Sequence, residues 1–229
     1  MNSLDVIMLR AVIFDLDGTL INLAFDYKKA KAEVISFLIN SKVDEKVLDE
    51  NKSIYLNIEA AINYIKKEFG EEYAKIIKEK AFDIVDKYEK EEIRKASLCE
   101  NALNLINYIK SKGMKIAICT NNSSYTTFSI LNKINIANLI DVVVTRDDVE
   151  KLKPYPDPLI LACKKLNINP NEALYIGDSI VDLLTAKAVG MKFILLSKND
   201  LKIAESYEEF NFKKVSSLKE IKEIIKVSV

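Results

Sequence analysis

Two carboxylates one residue apart at the end of an apolar run can share a reaction, one attacking an electrophile while the other handles a proton. Asp15 and Asp17 stand this way in Phe14-Asp15-Leu16-Asp17-Gly18-Thr19. In an extended segment residues i and i+2 face the same side, and open α/β folds bind ligands at the C-terminal edge of their parallel sheets. Four fixed letters of this kind arise by chance about once in 10⁵ starts, so an accidental acidic turn is disfavoured. A calcium loop of the D-x-D-x-D-G type does not fit. Its fifth position would be Thr19, its sixth Leu20 rather than Gly, and its twelfth Asp26 rather than Glu.

A second acidic edge follows another apolar run in Tyr175-Ile176-Gly177-Asp178-Ser179-Ile180-Val181-Asp182. If a helix starts there, Asp178 and Asp182 lie one turn apart on one face. Helix capping alone accounts for an Asp at such a place, but the coincidence with the first acidic loop favours a ligand. Carboxylates ~4 Å apart repel by ~4 kcal/mol per pair at an effective dielectric near 20, so several that converge require a cation. Hard oxygen ligands without His or Cys beside them point to magnesium.

Two further segments could bind the anion that such a cation accompanies. Cys119-Thr120-Asn121-Asn122-Ser123 offers a hydroxyl and a series of backbone N–H groups ahead of a helix, although an ordinary Ser or Asn cap reads the same way. Lys151-Leu152-Lys153-Pro154-Tyr155-Pro156-Asp157-Pro158 is a stiff loop holding Lys153 near the next helix, with Lys151 as its rival.

Composition removes other chemistries. The 229-residue chain contains no histidine, which excludes Ser-His-Asp triads, His-ligated zinc hydrolases and phosphohistidine chemistry. A Cys-based phosphatase needs Arg six positions after its nucleophile, and Leu105, Tyr125 and Asn169 stand there after Cys99, Cys119 and Cys163. Those cysteines are widely spaced and are expected to pack as small hydrophobes. Thirty-four basic residues balance thirty-four acidic ones, so no global field favours nucleic acid or an anionic membrane. No run approaches a membrane span, and Arg10 interrupts the N-terminal apolar stretch. A cytoplasmic location is expected.

These residues must be positioned by elements, and five apolar runs read as buried parallel strands: Ala11–Phe14, Lys115–Cys119, Asp141–Val144, Ala173–Ile176 and Lys192–Leu196. Helical patterns separate the last four. Asn101–Lys112 carries Leu103, Leu105, Ile106 and Ile109 before Gly113, and Ser179–Val189 precedes Gly190. The class is therefore α/β with a parallel sheet and right-handed crossovers. About a hundred residues separate the first strand from the second, too many for one crossover. From Phe25 to Arg94 amphipathic patterns, among them Val34, Ile35 and Leu38, Ile54, Ile58, Ile62 and Ile65, and Ile76, Ile77, Ala81, Ile84 and Val85, predict three or four helices forming an inserted cap.

Taken together, the segments resemble the haloacid dehalogenase-like (HAD) superfamily of phosphohydrolases. Asp15-Leu16-Asp17-Gly18-Thr19 is similar to its first motif, Thr120 with Asn121 to its second, Lys153-Pro154 to its third and Gly177-Asp178-Ser179-x-x-Asp182 to its fourth. A proline that often precedes the second strand is replaced by Ser97-Leu98-Cys99-Glu100, which touches no catalytic position. The resemblance implies a Rossmann-like α/β core of residues 1–22 and 96–229 with strand order 5-4-1-2-3, and a helical cap of the C1 type at 23–95.

It also implies roles. Asp15 would be the nucleophile and Asp17 the general acid and base. Magnesium would be held by Asp15, the Asp17 carbonyl, Asp178 and, directly or through water, Asp182. Thr120, the Asn121 amide and Lys153 would grip the phosphoryl group. The presence of Asp17 favours phosphoryl transfer over carbon–halogen cleavage. A small phosphate ester, phosphoglycolate-like, is the expected substrate. A β-phosphoglucomutase-like mutase, a nucleotide or pyrophosphate hydrolase and a non-catalytic phosphate-binding module stand as alternatives. Substrate contacts are expected from the cap, with Asn22, Asp26, Tyr27, Lys28 and Lys29 near its first hinge. A monomer is the default, a dimer the alternative.

Overall fold

Strands that are apolar on both faces need a sheet covered on both sides. The computed structural model, which describes residues 9–22, 26–197, 210 and 212–228, contains such a sheet. Its strands are β1 (Ala11–Phe14), β2 (Lys115–Cys119), β3 (Val142–Val144), β4 (Ala173–Gly177), β5 (Lys192–Leu196) and β6 (Lys213–Val215). Every pairing is parallel and the order is β3-β2-β1-β4-β5-β6. Read from β5, this is the expected order 5-4-1-2-3, with β6 added beyond β5. That strand escapes a sequence reading because it is Lys213-Lys214-Val215 and only Val215 is buried.

Asp141, expected to open β3, lies just outside it. Its carboxylate accepts from Lys110, Lys115 and the Ile116 N–H instead.

The chain divides into two compact units, residues 1–23 with 96–229, and 24–95. The second unit is built from α1 (Tyr27–Asn40), α2 (Ile54–Phe69) and α3 (Glu71–Lys95), with a 3-10 turn at Glu45–Val47. Asp26 caps α1 by accepting from the Lys29 N–H, and Ser53 caps α2 by accepting from Leu56. The helical stripes meet in one core: Ala30, Val34 and Leu38 from α1, Ile54, Ile58, Ala61 and Ile65 from α2, and Ile77, Ala81 and Val85 from α3. A buried amide, Asn57, fastens the loop before α2, donating to the Asp49 and Ser53 carbonyls and accepting from the Asp49 N–H. Ile76, counted in the α3 stripe from spacing, is exposed instead.

In the first unit the sheet is joined by α4 (Ala102–Ser111), α5 (Ser124–Lys133), α6 (Asp157–Leu166), α7 (Ile180–Ala188) and α8 (Leu218–Ser228). Ile13, Ala117, Cys119 and Tyr175 pack in one core with Leu159, Ala162 and Cys163 of α6 and Leu183 and Ala186 of α7. Leu105, Ile106 and Ile109 of α4 are buried, whereas Leu103, expected on that stripe, points outward. Cys119 and Cys163 are free and buried. Past β1 the chain turns tightly, with Gly18 donating to Ile21 and Ile21 to Leu16. The Asn22 N–H donates to Ser97 and Cys99 to Leu20, so the strand segments bounding the insertion are paired where they leave and re-enter the sheet unit. Among the described residues no helix is long and apolar enough to cross a membrane.

Candidate active site

Register decides which side chains can meet. Phe14 pairs with both Ile118 and Ile176, so β1, β2 and β4 leave the sheet at one level. Asp15 continues the ladder by one residue, its N–H donating to the Ile176 carbonyl at 2.8 Å. The structure brings Asp15, Asp178 and Asp182 together: one oxygen from each lies within 4.8 Å of the others, with Asp15 and Asp182 buried and Asp178 half-buried.

Two glycines make this packing sterically feasible. A Cβ at Gly18, whose φ is +72°, would lie 2.0 Å from Asp178 Oδ2, and one at Gly177 would lie 2.4 Å from the Asp182 Cβ.

Lys153 is the one buried lysine among the described residues. Its Nζ donates to Asp15 Oδ1 at 2.5 Å and to Asp182 Oδ1 at 2.7 Å, and lies 3.2 Å from the Tyr175 hydroxyl. Asn121 fixes the loop beneath it by accepting from the Lys153 N–H at 3.0 Å and donating to its carbonyl at 3.2 Å. Lys151 is exposed and lies over the Tyr155 ring, 5.0 Å from its centroid.

Asp182 carries two duties. At the start of α7 it forms a capping box with Ser179, accepting from the Ser179 N–H at 3.2 Å while its own N–H donates to Ser179 Oγ at 3.2 Å. Ser179 Oγ also donates to Oδ2, and the Tyr175 hydroxyl donates to Oδ1 at 2.6 Å. The cap and the acidic cluster are thus the same side chain.

The electrostatics follow from burial and crowding. Desolvation, with the nearby charges of Asp182 and Asp17, pushes Asp15 up to about 8 despite Lys153. Desolvation and the charges of Asp15 and Asp182 push Asp178 up to about 8 as well. Burial works against Asp182 too, but Lys153, Ser179 and Tyr175 outweigh it and hold that carboxyl below its usual range. Burial alone would lower Lys153, and its two carboxylate partners reverse this and raise it. Cys119 lies nearby, and burial pushes its thiol far up, so it stays a neutral thiol. Three ionised carboxylates facing one buried ammonium would leave negative charge uncompensated, so Asp15 and Asp178 keep their protons up to about pH 8 unless a cation joins them. The oxygen-only donor set fits a hard divalent cation, for which Asp15 and Asp178 have oxygens in reach.

Thr120 is buried, with its N–H on the Val144 carbonyl at 3.0 Å and its hydroxyl accepting from the Asn122 N–H at 3.1 Å. Asp17 is not in the three-carboxylate cluster. Its Oδ2 accepts from Asn122 Nδ2 at 2.7 Å. Near the first hinge, Asn22 bonds Ser97 and Leu98, Asp26 caps α1, the Tyr27 hydroxyl accepts from Ile54, and Lys28 and Lys29 are exposed. Two residues of the site escape a reading of the sequence. Tyr175 had a signal, since a tyrosine in an aliphatic buried strand needs a partner for its hydroxyl. Asn122 had none, being one of two adjacent asparagines in a loop.

Residues 12–196 match the family model described as haloacid dehalogenase-like hydrolase. The chain is 28% identical over 206 residues to a phosphoglycolate phosphatase of Shigella boydii, covering 80% of this chain and 79% of the relative. It is 26% identical over 217 residues to a pyrophosphatase, PpaX, of Bacillus pumilus, covering 92% and 94%. Among solved structures, an HAD-superfamily hydrolase from Ehrlichia chaffeensis superposes with a TM-score of 0.60 at 20% identity, covering 96% of this chain and 98% of the other.

Proposed function

The chain belongs to the haloacid dehalogenase-like hydrolases, and from that premise we propose that it is a magnesium-dependent phosphatase of small phosphate esters, phosphoglycolate-like, working through an aspartyl-phosphate. The observation that carries this reading is the convergence of Asp15, Asp178 and Asp182 beside a lysine that bonds Asp15. The similarity to a phosphoglycolate phosphatase supports the substrate class.

In this reading an Asp15 oxygen attacks phosphorus and the bond to the ester oxygen breaks. The electron pair goes to that oxygen, which takes the proton of Asp17 and leaves as an alcohol. Water then attacks the aspartyl-phosphate, its proton passes to Asp17, and the Asp15 carboxylate is regenerated as inorganic phosphate departs. Lys153 neutralises Asp15 before attack and faces the charge that develops on the phosphoryl oxygens, together with Thr120 and the Asn121 N–H. Losing one such contact costs ~3 kcal/mol, or 10²–10³ in turnover. Asp15, the Asp17 carbonyl and Asp178 would hold magnesium, with Asp182 supporting the set. Bound there, the ion would screen the nucleophile from the phosphate charge. Tyr175 and Ser179 orient Asp182, which in turn fixes Lys153.

The test is release of inorganic phosphate from p-nitrophenyl phosphate and from a panel of small phosphate esters that includes 2-phosphoglycolate. Magnesium-dependent hydrolysis, lost on chelation, is the expected result, and no hydrolysis across the panel with magnesium or manganese would refute it. A pyrophosphate arm addresses the reading that the pyrophosphatase relative favours. A β-glucose 1-phosphate arm, watched for glucose 6-phosphate against free phosphate, separates hydrolysis from mutase transfer.

A further inference from the structure

Asn122 lies 105 residues from Asp17 in the chain, yet its side-chain amide meets the Asp17 carboxylate at 2.7 Å. We infer that Asn122 is a positioning residue that holds the Asp17 carboxyl group in line for proton transfer to the leaving oxygen. The inference rests on the reading of Asp15 as nucleophile and Asp17 as proton donor.

Two observations and one chemical argument carry it. Asn122 is almost wholly buried, at 7% exposure. Its backbone is clamped on both sides, because its N–H donates to the Thr120 hydroxyl and its carbonyl accepts from the Arg146 N–H at 3.1 Å. The amide therefore projects from a fixed point, and the hydroxyl that helps fix it belongs to a proposed phosphoryl-binding residue. Third, an amide suits a group that must alternate between two protonation states. Its NH₂ donates to the carboxylate, and after a flip its oxygen accepts from the carboxylic acid.

The assay compares two leaving groups on one enzyme preparation. p-Nitrophenolate is weakly basic and departs without a proton, whereas an alkoxide needs one. The value of kcat/KM extends only to the first irreversible step, which is cleavage of the ester bond, so the alkyl-to-aryl ratio reports proton donation. It is also independent of the fraction of enzyme that is folded. The substrates are p-nitrophenyl phosphate and the alkyl phosphate that the wild type hydrolyses fastest.

Asn122→Ala is expected to lower the alkyl-to-aryl ratio about 10- to 100-fold, less than loss of the acid itself, since a positioned acid contributes roughly 10²–10⁴. Asn122→Ser, whose hydroxyl is too short to reach, should shift the ratio the same way, and Asp17→Asn sets its lower limit. An unchanged ratio in both Asn122 variants, whether both rates fall or neither does, overturns the inference while leaving the phosphatase reading intact. A wild type inactive on every ester overturns both.

Discussion

Replacing Gly18 by alanine tests whether the two acidic segments must interlock. The backbone there has φ of +72°, a region in which a Cβ costs roughly 1–2 kcal/mol. The added carbon would also stand 2.0 Å from Asp178 Oδ2. Real contacts of this kind do not fall below 3.0 Å, so the oxygen must retreat by at least 1.0 Å, the difference of the two. Magnesium demands near-ideal geometry at about 2.0–2.1 Å, and a misplacement of about 1 Å can cost 10²-fold in rate.

Gly113→Ala is the internal control, because Gly113 has nearly the same φ, +73°, with nothing within 4 Å of its would-be Cβ. Both variants should melt a few degrees lower, at about 2–4 °C per kcal/mol for a chain of this size. Only Gly18→Ala should raise the magnesium concentration needed for half-maximal turnover of p-nitrophenyl phosphate and lower kcat, by about 10²-fold overall. Wild-type turnover and magnesium requirement in Gly18→Ala would refute the steric argument and the role of Asp178 with it.

Asp15→Asn should abolish hydrolysis of p-nitrophenyl phosphate while circular dichroism and melting show an intact fold; turnover at the wild-type rate would remove Asp15 as nucleophile. Lys153→Met leaves Asp15 and Asp182 facing each other in the interior without their ammonium; urea unfolding should show a loss of about 3–5 kcal/mol, partly recovered by adding Asp182→Asn, with activity absent in both. In chelated protein, Asp15 and Asp178 titrate near 8 rather than 3.8, so between about pH 4 and 8 the folded state binds more protons than the unfolded one and stability should fall as pH rises. Magnesium should flatten that slope in melting curves. Its binding at pH 7 should release protons and tighten toward pH 8, which calorimetry in buffers of different ionisation enthalpy reads directly. Pure pH independence of both would show that these carboxyl groups are already ionised before the metal arrives.

Much of the architecture is legible from local pattern because a strand buried on both faces must be apolar throughout. Ala11–Phe14, Lys115–Cys119 and Lys192–Leu196 announce themselves, and β1, β2 and β5 occupy those residues. Where burial is one-sided or brief the pattern fails. Lys213–Val215 has one buried residue and gives no strand pattern, and Ile76 and Leu103 sit on helical spacing yet face solvent, since periodicity marks a stripe but not its edges. Asp182 shows a different limit: its spacing suits a helix cap and an acidic site equally, and in the structure it serves as both.

Residue type and order along the chain suffice to propose the chemistry, because the carboxylates, lysine and hydroxyl at the ends of apolar strands resemble the motifs of one family and the absence of histidine closes the main rivals. The partners of those groups were settled only by folding. Asn122 meets Asp17 from 105 residues away, and Tyr175 meets Lys153 across 22 and Asp182 across 7. Such pairings depend on strand order, on register to a single residue and on the direction of each side chain. None of these is a local property, so each had to wait for the sheet to close around β1.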